Sequence, residues 1–351
     1  MMDVSVLRWV GGLVGVVLLG ALLARRRSGR LLGRLEMLGY PLSLAVLAVA
    51  VHPGLAGILT TLTGFTGPLA RIVSLLVFAV LGLVAWALAL QGRLGETRGR
   101  LLSLLRNLAV DRGMERGCAP ADIVVVMPAL DEADNLPAVL GAAPRMLEGH
   151  RVQVVVVDDG SEDGTSEVAA AHGALPVRTP INVGGGHALQ VGFAVARRLR
   201  ARWVVTLDAD GQHRWEDFPV VMAPLLAGTA EVVVGSRRLG ESVGHERLRS
   251  VGLDLFNGLV SFLTGRRITD CSSGYRGFDL GRLLELHLVQ DRHHTAELLI
   301  EAARRGLRIV EVPITILPRL HGTSKKGTNW RYGFRFARTV LSSWARGGGK
   351  P

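Results

Sequence analysis

Hydrophobic residues are distributed in two different ways along this chain. Up to about residue 92 they form long uncharged runs, Val10–Ala24, Met37–Ala70 and Ile72–Gly92. A membrane span needs roughly 20 apolar residues. The third run meets that length, as does a helix Tyr40–Leu62 inside the second. The first does so only if its helix starts near Val4 with Arg8 at the interface. A cleaved leader would carry its basic cluster before the apolar stretch; here Arg25, Arg26, Arg27, Arg30 and Arg34 follow it. Beyond residue 120 the apolar runs are short: Ile123–Met127, Val152–Val157, Trp203–Leu207 and Val232–Val234. Segments with helical spacing, such as His187–Leu199, separate them. Buried strands alternating with helices predict an α/β domain with a largely parallel sheet. Ligands of such sheets bind beyond the carboxyl ends of the strands.

Charge orients the first region. Arginines lie between runs one and two and again after run three (Arg93, Arg98, Arg100, Arg106), while Pro53–Pro68 has no Lys or Arg. The positive-inside rule then predicts three spans, an outside N-terminus and a cytoplasmic remainder. The expected organisation is a transmembrane all-α module over 1–92, a juxtamembrane linker or interfacial helix over 93–119, a catalytic domain over 120–326 and a basic amphipathic tail over 327–351. In the tail, Trp330, Phe334, Ala337, Leu341 and Trp344 fall near one helical face, with Arg331, Arg335, Arg338 and Arg346 beside them. That pattern fits a helix lying on the membrane or one docked on the catalytic domain. The 351 residues carry a formal charge of +11, with a pI of about 10.9 and mean hydropathy +0.31. An anionic partner follows: a membrane surface or a phosphorylated substrate. Nucleic acid fits poorly beside membrane spans and acidic strand ends. Cys118 and Cys271 are the only cysteines, which excludes a disulfide framework or a cysteine-rich zinc site.

Three strand ends carry unusual polar groups. After the first comes MPALDEADNL, with Pro128, Ala129, Asp131, Glu132 and Asn135. After the second comes VVDDGSEDGT, with Asp158, Asp159, Gly160, Ser161, Asp163, Gly164 and Thr165. After the third comes DADGQH, where Asp208 and Asp210 sit one residue apart, followed by Gln212 and His213. Any one could be a turn with a helix cap; three at one sheet edge read as a site. Paired carboxylates at a strand end cost repulsion and desolvation, which a hard divalent cation bridging to substrate phosphates would offset. Asp210 is the first choice of metal ligand, and Gln212 could add an oxygen. His213 reads either as a ligand or as a neighbouring polar group. NVGGGHALQVG, containing Gly184, Gly185, Gly186 and His187, is a glycine-rich loop opening a helix, where backbone can approach a phosphate or sugar closely.

Taken in order, MPALDE, VVDDGSEDGT, NVGGGHA, DADGQH, VGSR, TDCSSGYRGF and VEVPITILPRLHGTSK resemble the inverting family-two glycosyltransferases of the GT-A fold. Among these the chain looks most like the dolichol- or polyprenyl-phosphate mannose synthases. The resemblance covers about residues 120–326. It implies a Rossmann-like GT-A domain in which Pro128, Ala129, Glu132, Asp158, Asp159 and Gly186 cradle the nucleotide sugar. It also implies that Asp208, Asp210 and Gln212 hold Mg²⁺ or Mn²⁺ and the diphosphate. Ser273, Gly274 and Tyr275 would lie beside the donor sugar. Arg237, Arg249, Arg319, Ser324 and Lys325 would bind the acceptor phosphate, and Glu297 would stand near the sugar. Two positions depart from the pattern: Asp131 where Asn is common, and Leu253 where a small polar residue is common.

The implied reaction is hexosyl transfer with inversion from a nucleotide-diphosphate sugar, GDP-mannose first, to a polyprenyl monophosphate. A phosphate nucleophile is already anionic, so the abundance of arginine without an unmistakable general base agrees with it. UDP-glucose is the alternative donor. A processive polysaccharide synthase is less well matched, because TNWRYG lacks the preceding Gln of QxxRW and no later run is long enough to span. The expected partners are a nucleotide sugar, a polyprenyl phosphate lipid and the cell membrane, with a homo-oligomer left open and nucleic acid excluded.

Overall fold

The four valine-rich runs form the centre of one sheet. The computed structural model describes residues 70–242, 247–286, 288 and 294–321, with Val16, Thr61, Val340 and Trp344 as isolated positions. Strands β1 (Ile123–Ala129), β3 (His150–Asp158), β4 (Leu175–Arg178) and β5 (Trp203–Thr206) are mutually parallel, with β1 between β3 and β5 and β4 outside β3. The short β2 (Met146–Leu147) pairs antiparallel with β3. Beyond β5 the direction reverses. Strand β7 (Arg276–Asp279) runs antiparallel to both β5 and β6 (Val232–Ser242), and β6 pairs in parallel with β8 (Ile309–Ile316). The sheet is therefore mixed, where the sequence predicted a mostly parallel one. β7, RGFD, overlaps the SGYRGF motif and carries Arg276, Gly277 and Asp279 around one apolar residue, so no apolar run announces it.

Alternation along β1 explains why both faces are covered. Val124 and Val126 point into one core with Val191, Phe193 and Val195 of the helix Gly185–Arg198. Ile123, Val125 and Met127 point into the other, with Leu136 and Val139 from Leu136–Gly141 and Phe218, Val221 and Met222 from Phe218–Leu226. A period of two with helices on both sides produces continuous apolar strands rather than alternating ones. Gly192 matters in this packing: a Cβ there would lie 2.1 Å from Val126 Cγ1. Only glycine lets this helix sit so close to β1, which seats the preceding glycine loop at the strand ends.

The chain divides into two compact units, Met1–Arg100 and Leu101–Pro351. A helix of 45 residues, Ala70–Met114, carries the backbone of Ile72–Gly92 and of the leucine- and arginine-rich segment after it. Its last turns belong to the second unit, where Ala109 and Val110 are buried. Among the described residues no helix is long and apolar enough to cross a membrane. The first two apolar runs apart from Val16 and Thr61, the side chains of residues 70–85, and the tail apart from Val340 and Trp344 lie outside the described residues.

Candidate active site

The segment after β5 turns sharply because Gly211 adopts φ +74°, a conformation that L side chains avoid. Gln212 then donates its N–H to Asp210 Oδ1 at 3.1 Å. The chain following β8 crosses over this turn. Leu317 N–H donates to the Gln212 carbonyl at 2.9 Å, and the Gln212 side-chain amide donates to the Leu317 carbonyl at 3.2 Å. His213 bridges to Ile316. This strap delivers Arg319 to the sheet edge, where Nη2 meets Asp210 Oδ2 at 2.9 Å and Nη1 meets Glu132 Oε1 at 3.1 Å. One guanidinium thus neutralises carboxylates from two strand ends.

Asn135 fixes the strap. Its Nδ2 donates to Glu132 Oε2 at 2.5 Å, and its Oδ1 accepts the His321 N–H at 2.9 Å. Asn135 is buried, and this double contact gives it a role that its position in the sequence did not disclose. Asp208 faces the other way and is 35% exposed, with His213 Nε2 3.9 Å from its Oδ2. Gly274 makes room for it: a Cβ there would fall 2.7 Å from both Asp208 oxygens. Thr206 holds this glycine by donating its hydroxyl to the Gly274 carbonyl at 2.7 Å.

The other acidic pair is engaged differently. Asp158 is fully buried and accepts from Ser161 N–H at 2.7 Å and from the Ser166 hydroxyl at 2.5 Å. Asp159 accepts from Val183 N–H at 3.0 Å, Gly184 N–H at 2.7 Å and the Thr179 hydroxyl at 3.2 Å. Burial nevertheless pushes the Asp159 carboxyl above its ordinary pKa, against those hydrogen bonds and the His187 charge. Both aspartates, implied by the resemblance to touch the nucleotide, here accept from donors in the segments that follow β3 and β4. Pro128 and Ala129 close β1, where the Ala129 carbonyl accepts the Asp159 N–H at 2.8 Å. Asp131 lies at φ +49°, a left-handed conformation in which Asp and Asn are both enriched. Its departure from the expected Asn is therefore conformationally mild.

Arg237 is held by Asp270, with Nε to Oδ2 at 2.6 Å and Nη2 to Oδ1 at 3.2 Å; Nη2 also donates to Ser272 Oγ at 3.0 Å. Asp270 and Ser272 were not singled out in the sequence, although TDCSS lies in a quoted motif. Of the expected sugar-side residues, Gly274 meets Asp208 and Ser273 is buried, while Tyr275 needs correction. Its side chain is fully buried in the core, edge-on to His213 at 5.1 Å between ring centroids. It supports the site from behind because β7 turns it inward. Gly186 is buried in the first turn of its helix, and Glu297 is buried in the helix His294–Arg304. Arg276, the last residue of SGYR, is also buried. It donates to the carbonyls of Ser273, Cys271 and Thr295, and burial lowers its pKa to about 10. Arg249 lies on the helix Arg247–Thr264. Its side chain, Leu253's side chain, Ser324 and Lys325 lie outside the described residues.

Among the described residues no group of three or more His, Cys, Asp or Glu is placed to hold a metal. The donors nevertheless fit a hard cation. Asp208 and Asp210 lie one residue apart after β5, and Asp210 already attracts a positive group. Magnesium sites of this kind take one or two carboxylates and complete their shell with water and substrate phosphate.

The sequence profile of Glycosyl transferase family 2 matches residues 124–286. The undecaprenyl-phosphate mannosyltransferase of Micrococcus luteus is 30% identical over 220 residues, covering 58% of this chain and 86% of that protein. The polyprenol monophosphomannose synthase of Mycolicibacterium smegmatis is 32% identical over 221 residues, covering 59% and 82%. Glucosyl-3-phosphoglycerate synthase of Mycobacterium tuberculosis, solved with Mn²⁺, UDP and glucosyl-3-phosphoglycerate, shares the fold. Its TM-score is 0.53 at 23% identity, covering 67% of this chain and 83% of that one.

Proposed function

The chain belongs to glycosyl transferase family 2, and from that premise we propose that it transfers a hexose, mannose from GDP-mannose first, to a polyprenyl monophosphate. The observation that carries this reading is Arg319 bridging Asp210 and Glu132. Carboxylates from two strand ends share one guanidinium there, and that basic side chain is of the kind that meets phosphate. The relatives named for polyprenyl-phosphate mannosyl transfer support the acceptor and the sugar.

In this reading Asp208 and Asp210, with the Gln212 amide oxygen, hold Mg²⁺ or Mn²⁺. When bound, such an ion acts as a Lewis acid toward the negative charge that grows on the departing diphosphate. Glu132 and the β1 end, Pro128–Ala129, receive the nucleoside, while Asp158 and Asp159 keep the adjoining loops in place. Arg319 gives up its carboxylates as the donor arrives and turns to phosphate, to which a guanidinium binds bidentately. Asp270 fixes the plane of Arg237, leaving its other edge to align the acceptor phosphate. That phosphate is itself the nucleophile, so no side chain need remove a proton. Single displacement inverts the anomeric centre.

A lipid acceptor places the site at a membrane. The three apolar runs and their arginines supply that attachment at the cytoplasmic face of the cell membrane. Leu255 and Phe262, 72% and 83% exposed on the helix Arg247–Thr264, offer it apolar contacts.

The test is product formation in purified membranes with Mg²⁺ or Mn²⁺ and undecaprenyl phosphate, offering labelled GDP-mannose and UDP-glucose separately. A charged, acid-labile lipid product from GDP-mannose, absent in Asp210→Asn, is the expected result. The same product from UDP-glucose alone would replace the donor. No lipid product from either, with the protein folded, would overturn the reading.

A further inference from the structure

A second cluster of basic residues lies at the edge of the sheet, beside the acidic loop that follows β3. A cavity of about 300 Å³ opens where the end of the helix Ala70–Met114 meets the edge strand β4, and its walls carry Arg112, Arg116 and Arg178 against a single acidic side chain, Glu167. Basic residues that line one space repel one another, and the side chains of Arg112 and Arg116 have no hydrogen-bond or ion-pair partner among the described residues. The helix end cannot relax away from the strand, because it is packed down upon it. A Cβ on Gly113 would lie 2.7 Å from Val177 Cγ2, and Ala109 and Val110 are buried beside it. Pro176 and Pro180 stiffen the strand side of the cavity. The basic residues are therefore brought together by packing.

We propose that this cavity binds a phosphate-bearing anion, with Arg112 and Arg116 as its primary contacts and Arg178 as a third. Guanidinium forks match phosphate oxygens, and the volume suits one or two phosphoryl groups rather than a whole nucleotide sugar. Arg178 joins the cavity to the acidic loop after β3. Its Nη2 donates to the Ser161 carbonyl at 2.6 Å, and its Nε lies 3.8 Å from Asp158 Oδ2. Ser166, on the same wall, donates to Asp158. An anion drawn to Arg178 would thus be felt by the loop that braces the candidate site. The phosphate could come from a free anion or from a lipid headgroup, and the two are separable by experiment.

Isothermal titration of the full-length protein in detergent, at low salt and without nucleotide or metal, would use two probes. One is inorganic pyrophosphate; the other is dihexanoyl phosphatidic acid below its micellar concentration. The double variant Arg112→Gln/Arg116→Gln should weaken binding of the favoured probe by about tenfold, since two charge-assisted contacts are lost. A control losing two exposed arginines elsewhere, Arg197→Gln/Arg305→Gln, should change it by less than about twofold, the screened effect of net charge alone. Amide exchange should slow in residues 158–167 and 176–180 when the probe is bound, in the wild type but not in the double variant. Preference for pyrophosphate would identify a free anion as the ligand, and preference for phosphatidic acid a headgroup. Equal binding by wild type and double variant, equal weakening by the control, or no binding of either probe would overturn the proposal.

Discussion

Two acidic pairs stand at the ends of β3 and β5, on either side of β1, and they serve different purposes. Asp158 and Asp159 are buried, and their oxygens are taken up by the domain's own donors: Ser161 and Ser166 for the first, Val183, Gly184 and Thr179 for the second. Asp208 is partly exposed beside His213, and Asp210 is answered by an arginine that arrives from 109 residues away. A carboxylate satisfied by backbone N–H groups is part of the scaffold, because removing it leaves buried donors unpaired. A carboxylate satisfied by a long cationic side chain on a strap can exchange that partner for a ligand. The letters DD and DAD do not distinguish these cases; the partners do.

Substitution should separate the pairs. The largest effect is expected for Asp210→Asn, which should lower kcat by about a thousandfold, roughly 4 kcal/mol, while the melting temperature stays near that of the wild type. A parallel fall in stability would erase the distinction between the pairs. Next comes Asp158→Ala, which should destabilise by about 3 kcal/mol through stranded buried donors, seen in chemical denaturation of the detergent-solubilised chain. Gly274→Ala should cost tens-fold in kcat/KM, about 2 kcal/mol, because a Cβ 2.7 Å from the Asp208 oxygens displaces that side chain; its thermal stability should change far less. Arg319→Gln removes the competitor for Asp210. It should tighten Mn²⁺ binding to the donor-free protein by a few-fold, about 1 kcal/mol, in electron paramagnetic resonance titrations, even as turnover falls. Unchanged Mn²⁺ affinity would mean that Arg319 and the ion do not share Asp210.

The smallest effect is one of pH. The Asp159 pKa is raised on folding, chiefly by burial. The folded state therefore holds this proton more tightly than the unfolded chain. Stability contributed by the protonated form is present below the unfolded pKa of about 3.9 and is lost as pH rises through the raised folded value. Asp159→Asn should remove that downward component from the stability–pH curve in mildly acidic buffer. A curve of unchanged slope would show that the hydrogen bonds to Val183, Gly184 and Thr179 offset the burial completely.

Much of this arrangement could be read in the chain, for local reasons. The valine runs announced β1, β3, β5 and the start of β6 because a strand buried on both faces is apolar at every position. DADGQH announced a site because like charges ending such a strand need an explanation. β7 escaped notice, since its residues, Arg276, Gly277, Phe278 and Asp279, are not an apolar run, and with it went the mixed character of the sheet. Tyr275 was assigned to the ligand side by the resemblance, and only its burial against His213 in the folded domain shows which way its ring faces.

The sequence by itself determined the two textures of the chain, the strands at the heart of the sheet and the edge where its acidic groups collect. These follow from side-chain period and from the cost of burying charge, both of which act over a few residues. Tertiary structure alone decided which carboxylates are scaffold and which are open to exchange. It brought Arg319 across 187 residues to Glu132, locked Arg237 onto Asp270, and packed Arg112 and Arg116 beside Arg178. Such pairings depend on where the chain returns in space, and no local pattern of polar and apolar residues specifies that.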